Sequence, residues 1–136
     1  MSLLALKDGR QPAGPDGSEQ PTTDDEGEER EDRHIRCRSC GVDVTEEDAV
    51  VRIGGEDAVQ CFANPSGILF ELLTVGYAWN LRAVGPRTTE FTWFGGYTWR
   101  IVLCFPCGAH LGWLFEAVGS GTPTRFYGLV LPRLTR

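Results

Sequence analysis

Two short segments constrain this chain more than any other feature: Cys37-Arg38-Ser39-Cys40-Gly41 and Cys104-Phe105-Pro106-Cys107-Gly108. A C-x-x-C turn brings two thiolates to one side of a tight loop, and the glycine after the second cysteine lets the backbone bend back. Two such knuckles supply four soft ligands for a tetrahedron, which selects zinc. The expectation is one structural Zn2+ per chain on Cys37, Cys40, Cys104 and Cys107. Its coordination sphere is then closed, with no position for a catalytic water. A rival ligand set replaces Cys104 with His110. The two pairs are separated by 63 residues, whereas a compact zinc ribbon keeps its pairs about 15–20 apart. The metal is therefore expected to tie the two ends of a sheet together rather than to organise a lone finger. In a domain of about 100 residues such a metal adds on the order of 10 kcal/mol of folding free energy.

The chain has 136 residues, enough for one domain. Its fifth cysteine, Cys61, has no partner in the pairs. Cysteines in this pattern point to metal chemistry in a reducing compartment before disulfides. No apolar run approaches the roughly 20 residues that span a bilayer, and Met1–Leu6 is too short for a signal peptide. The expected location is the cytoplasm, with no membrane partner. Residues 1–33 hold ten acids against Lys7, Arg10, Arg30 and Arg33 and account for the whole formal charge of −6. They are rich in Gly, Pro, Asp and Glu without apolar periodicity, so they read as a disordered acidic tail. Residues 34–136 are electrically balanced, which disfavours nucleic acid as a partner, because phosphate contacts need a basic surface.

From about Ile35 onward the chain reads as short strands between turn signals, an all-β pattern. Candidate strands are 49–53, 58–62, 68–73, 77–84, 90–94, 97–103, 111–117 and 125–131, rich in Val, Ile, Phe, Tyr and Trp. Thr45, followed by Glu46, Glu47 and Asp48, is the one good cap for a single helical turn.

The densest local signal is Glu90-Phe91-Thr92-Trp93-Phe94-Gly95-Gly96-Tyr97-Thr98-Trp99. It reads as a hairpin with a glycine turn, and a three-residue loop would set Trp93 opposite Trp99 on one face. After the second knuckle, Trp113 and Phe115 alternate and share a face. These rings form either a packed aromatic core or a box for a guest. Three tryptophans are bulky for a small core, and Gly95, Gly96 and Gly112 beside them leave space where a ligand could approach, so at this point the packed core stays open beside the box. Two guests suit it: a methylated ammonium held by cation–π attraction, or a neutral imide ring. An imide presents C=O, N–H and C=O in a row, and the backbone of a strand edge at Phe91–Trp93 can answer that row.

Taken together, these segments resemble the CULT domain family, the thalidomide-binding domain of cereblon. The likeness runs from about Ile35 to Arg133. It rests on both C-x-x-C pairs, Phe62-Ala63-Asn64-Pro65-Ser66-Gly67, Trp93-Phe94-x-Gly96-Tyr97-x-Trp99, His110-Leu111-Gly112-Trp113 and Phe126-Tyr127-Gly128-Leu129. The resemblance implies a β-tent of two antiparallel sheets joined near a four-cysteine zinc site, within residues 34–136. It implies binding of cyclic imides, such as the glutarimide ring of thalidomide-type drugs or a C-terminal cyclic imide on a protein. Trp93, Trp99 and Trp113 would form three walls, with Phe115 at the base and Asn64 and Pro65 at the rim. The backbone of Phe91, Thr92 and Trp93 would meet the imide, Phe91 through its carbonyl and Trp93 through its N–H. Phe91 replaces the histidine of human-type members. The Lon-like domain and adaptor-binding helices of full-length cereblon have no counterpart here, so no ubiquitin-ligase adaptor is expected for this chain alone. The likeness is to the single-domain members found in bacteria.

On this reading the chain is a binding module and not an enzyme. Two alternatives stand beside it. Cys104-x-x-Cys107-x-x-His110 also resembles zinc-bearing methionine sulfoxide reductases, with Cys61 as the only free nucleophile. Cys61 lacks the arginine of that family's catalytic context, and a strand-buried small residue is the expectation for it. The second alternative is a methyl-ammonium reader, for which Glu90 and Glu116 flank the aromatic cluster.

Overall fold

The computed structural model describes residues 33–136. The acidic segment expected to be a disordered tail lies outside the described residues, apart from Arg33 at its end. From His34 to Arg136 the chain forms one unit. Its strands are β1 His34–Cys37, β2 Asp43–Glu46, β3 Val59–Ala63, β4 Leu69–Val75, β5 Leu81–Thr88, β6 Tyr97–Cys104, β7 His110–Ala117, β8 Arg125–Val130 and β9 Leu134–Thr135. Short 3-10 turns occupy Glu47–Ala49 and Leu131–Arg133. No helix among the described residues is long and apolar enough to cross a membrane.

All pairings are antiparallel. A small sheet has the order β2-β1-β9 and a large one the order β3-β4-β8-β7-β6-β5. The fold is thus all-β with two antiparallel sheets, as the sequence led us to expect.

The central strands of the large sheet are covered on both faces, which explains their near-continuous apolar runs. One cluster joins Ile35, Cys37, Val44 and Leu134 of the small sheet to Leu73, Val75, Val102, Leu114 and Leu129 of the large one. A second cluster lies on the opposite face and is mostly aromatic: Phe94, Tyr97, Trp113, Phe115 and Phe126, with Leu72 and Val130. On β7, Trp113 and Phe115 therefore point one way and Leu114 the other. Leu111 joins Leu114 despite the odd spacing, because the β6–β7 ladder shifts register where Leu103 pairs with His110 and Val102 with Gly112. Such a bulge reverses the facing of the residues beyond it.

Several local expectations are corrected. Residues 49–53 form no strand, since only Val50 bridges to Val75. Residues 90–94 form no strand either. The β5–β6 hairpin closes lower down, Thr88 opposes Trp99, and residues 89–96 are its loop. Trp93 and Trp99 are consequently not cross-strand partners. Thr45 caps no helix: it lies in β2, buried, and its hydroxyl donates to the Tyr77 carbonyl at 2.7 Å. The turn at Glu47–Ala49 has no side-chain cap. The strands β1, β2 and β9 were missed because each is only two to four residues long, too short to show a period. Cys61, expected to be buried, is exposed.

Candidate metal and ligand sites

The two knuckles are the turns of two hairpins in different sheets. The first joins β1 to β2, where Gly41 N–H donates to the Cys37 carbonyl at 2.7 Å. The second joins β6 to β7, where Gly108 N–H donates to the Cys104 carbonyl at 2.8 Å. Gly41 and Gly108 have φ of +80° and +78°, the left-handed region that glycine enters without steric cost. The four sulfurs lie within 4.8 Å of one another. Cys37 Sγ is 3.7 Å from Cys107 Sγ, and Cys40 Sγ is 3.5 Å from Cys104 Sγ. This set can hold a metal ion, and it would tie one sheet to the other rather than the two ends of a single sheet. Burial pushes the Cys104 thiol up to about 12, and it also raises Cys37. The backbone N–H of Ala109 draws Cys107 down to about 7. His110 does not join the sulfurs: its Nε2 is 3.0 Å from the Gly112 carbonyl, and its ring packs edge-on against Trp113 at 4.9 Å.

On the aromatic face, cross-strand register builds a floor. Trp99 opposes Phe115 and Ile101 opposes Trp113, and all four side chains rise on the same side, the i, i+2 face of each strand. Trp93 arrives from the 89–96 loop and completes a cavity of about 460 Å³, also lined by Asn64, Pro65, Phe70, Glu90, Phe91 and His110. Its indole stacks on Phe62 at 5.3 Å and meets Trp113 edge-on at 4.9 Å. Two of the indole donors are already used. Trp93 Nε1 donates to the Ala63 carbonyl at 2.9 Å and Trp99 Nε1 to the Glu90 carbonyl at 2.7 Å. These bonds fix both rings so that they offer the cavity apolar surface.

Of the eight expected ligand residues, seven line this cavity and Thr92 does not. The Thr92 hydroxyl instead donates to the Phe94 carbonyl within its own loop. Phe91 is exposed and has φ of +58°, uncommon for a bulky side chain. Four lining residues, Phe70, Glu90, Ile101 and His110, are not among the expected imide contacts, although Glu90 is expected beside the cluster as an aid to a cation. Ile101 follows from alternation with Trp99 once the β6–β7 register is known. His110 is brought in by the bulge, Glu90 by the loop, and Phe70 by the β4–β8 pairing, for which the sequence carries no local signal. Gly112, read as leaving room for a ligand, has another use: a Cβ there would overlap the Gly128 carbonyl and lie 2.9 Å from Leu129 Cα. Glu116 is bound to Arg87 at 2.6 Å and does not line the cavity.

No protein-family model matches the chain. It is 37% identical over 95 residues to protein cereblon of Xenopus tropicalis, an alignment covering 68% of this chain and 21% of that protein. Against protein cereblon of Danio rerio it is 36% identical over 95 residues, covering 68% and 22%. Against that of Gallus gallus it is 36% identical over 104 residues, covering 72% and 23%. The chain is homologous to cereblon. It carries a cereblon-like domain with an all-β fold, a four-cysteine cluster and an aromatic cavity. It spans about a fifth of the length of these cereblon proteins. They are animal proteins, and the expected bacterial single-domain type draws no support from them.

Proposed function

We propose that this cereblon-like domain binds a cyclic imide of the glutarimide type, free or at the C-terminus of a protein, in the cavity walled by Trp93, Trp99 and Trp113. The carrying observation is that the Trp93 and Trp99 N–H groups are both spent on backbone carbonyls. Those two walls therefore present ring surface without a free donor, which suits a compact ring with little charge. The polar row of the imide falls to the backbone at Phe91 and Trp93, with Asn64 and Pro65 at the mouth. The function is binding without turnover, in a reducing, cytoplasmic setting that suits the thiols.

Zinc is the metal we assign to Cys37, Cys40, Cys104 and Cys107. Zn–S bonds of about 2.3 Å in a tetrahedron separate the sulfurs by about 3.8 Å, close to the 3.5 and 3.7 Å of the two facing pairs. With four thiolates it is structural, and it holds the β6–β7 turn from which His110 and Trp113 rise.

One observation favours a second reading, a methyl-ammonium guest: the Glu90 side chain belongs to a residue of the lining. Against it, the Arg133 guanidinium donates to the backbone carbonyl of His110, itself a lining residue, at 2.8 Å and brings a positive charge beside the cavity. The reductase reading has no comparable support, because Cys61 stands outside the cavity lining.

The deciding experiment titrates zinc-loaded protein with a glutarimide compound and with trimethyl-lysine, followed by intrinsic tryptophan fluorescence. Saturation by the imide alone is the expected result. Saturation by trimethyl-lysine alone would replace this reading with the second.

A further inference from the structure

The large sheet has two edges, and they are built differently. Natural sheets blunt their edges with proline, charge, bulges or covering groups, because an open edge is a template for another strand. The β5 edge has these devices. It contains Gly85 and Pro86, shifts register between Val84 and Thr88, and surrenders the carbonyls of Gly85 and Ala83 to the Arg100 guanidinium at 2.9 and 3.3 Å. The opposite edge, β3, reads Val59-Gln60-Cys61-Phe62-Ala63, without proline or charge.

The ladder shows which groups of β3 face outward. Thr74 N–H donates to the Ala58 carbonyl, and Asn64 N–H donates to the Ile68 carbonyl. Both pairs lie on the register that matches Gln60 with Leu72 and Phe62 with Phe70. Even-numbered residues of β3 therefore exchange bonds with β4, and Val59, Cys61 and Ala63 turn their N–H and C=O to the open side. Of these outward groups only the Ala63 carbonyl has a partner among the described residues, and that partner is Trp93 Nε1. The edge consequently ends at a wall of the cavity, and the chain continues from it into Asn64 and Pro65, which also line the cavity.

We infer that β3 is a docking edge for the peptide that carries the ring. The inference rests on the imide reading above and extends it to the residues upstream of the imide. With the ring beside Trp93, at the C-terminal end of β3, the preceding residues run back along the edge. They pair as a parallel strand, running in the same direction as β3, with the N–H and C=O of Val59 and Cys61 and the N–H of Ala63. Main-chain bonds supply the affinity, so upstream sequence matters little apart from proline.

The test compares, by fluorescence titration of the full chain, N-acetyl-aminoglutarimide with an octapeptide ending in the same ring. A third ligand is that octapeptide N-methylated at alternate backbone nitrogens. We expect the octapeptide to bind about tenfold more tightly than the small imide, the gain of a few net hydrogen bonds, and the N-methylated form to lose the gain. In Cys61→Pro the lost N–H is one that β4 does not use, so the ladder survives. This variant should bind the small imide as before and the octapeptide no better. If the variant does not fold, the N-methylated peptide decides alone.

Equal affinity of the small imide and the octapeptide overturns the inference, as does a gain that survives both N-methylation and Cys61→Pro. Light scattering that finds a dimer, made monomeric by Cys61→Pro, also overturns it, because a second copy then covers the edge. If neither the small imide nor the octapeptide binds, the imide reading has failed, and the inference falls with it. That outcome is distinct from a small imide that binds without a peptide gain.

Discussion

Gly112 on β7 lies against the Gly128 carbonyl on β8 so closely that no side chain fits between them: a Cβ on Gly112 would overlap that oxygen and stand 2.9 Å from Leu129 Cα. Gly128 is crowded in turn, since a Cβ there would meet Leu72 Cδ1 at 3.0 Å and Phe115 Cε2 at 3.1 Å. The pair sets the β7–β8 approach beneath the aromatic floor. Gly112→Ala should therefore destabilise by about 4 kcal/mol or more, a size reserved for such backbone clashes. Gly95→Ala, with nothing within 4 Å, should be near neutral. Chemical denaturation of the two variants checks the contrast.

Removal of the metal should unfold the domain. The Cys37–Cys40 knuckle belongs to the small sheet and the Cys104–Cys107 knuckle to the large one, so an ion held by all four sulfurs would clamp one sheet to the other. A loss on the order of 10 kcal/mol is comparable to the whole folding stability of a domain of this size. Metal analysis should return one zinc per chain, and a strong chelator should abolish the cooperative thermal transition. A transition unchanged by chelation would show that the sheets hold together through their apolar cluster alone.

The tryptophans should separate binding from stability. Trp113 is 8% exposed and packs against Trp93, Phe70 and His110, so Trp113→Ala should cost about 3–5 kcal/mol. Trp99 is only half-buried and lies between Thr88 and Phe115 in the ladder. Trp99→Ala should reduce glutarimide affinity at least tenfold while leaving a folded, zinc-loaded domain. Paired melting and binding curves for both variants test this. A Trp99→Ala chain that fails to fold would count for a packed core instead of a box.

Acid should weaken the domain through His110. Burial lowers its pKa below the usual 6.5, with the Arg133 charge acting the same way. The unfolded chain takes up this proton first as pH falls, so the unfolded state binds more protons between 6.5 and the depressed folded value. This contribution to stability is fully present above about 6.5 and is lost as pH falls through that window. Denaturation midpoints measured between pH 7.5 and 5.5 should show the decline, and His110→Asn should flatten it.

The knuckles, the all-β class and most of the cavity residues were legible in the sequence, because each depends on local rules. A C-x-x-C-G turn fixes its own geometry, strand alternation puts Trp113 and Phe115 on one face, and glycine marks its turns. What alternation could not supply was register. The expected Trp93–Trp99 pairing assumed a hairpin closing at Gly95–Gly96, but the ladder stops at Thr88–Trp99, and Trp93 reaches the cavity from a loop anchored on Ala63, thirty residues earlier in the chain. The role of Gly112 was misread for the same reason: its neighbour Gly128 is adjacent only after β7 and β8 pair. The exposure of Cys61 follows from β3 lying at the outside of the sheet, and strand order leaves no local trace. The sequence by itself determined the ligand chemistry of the cysteines and the supply of aromatic rings, since those are properties of residue type and short spacing. Only the tertiary structure decided which rings face one another, which glycine is a contact rather than a gap, and which edge of the sheet is left open, because long-range register is set by packing across strands far apart in the chain.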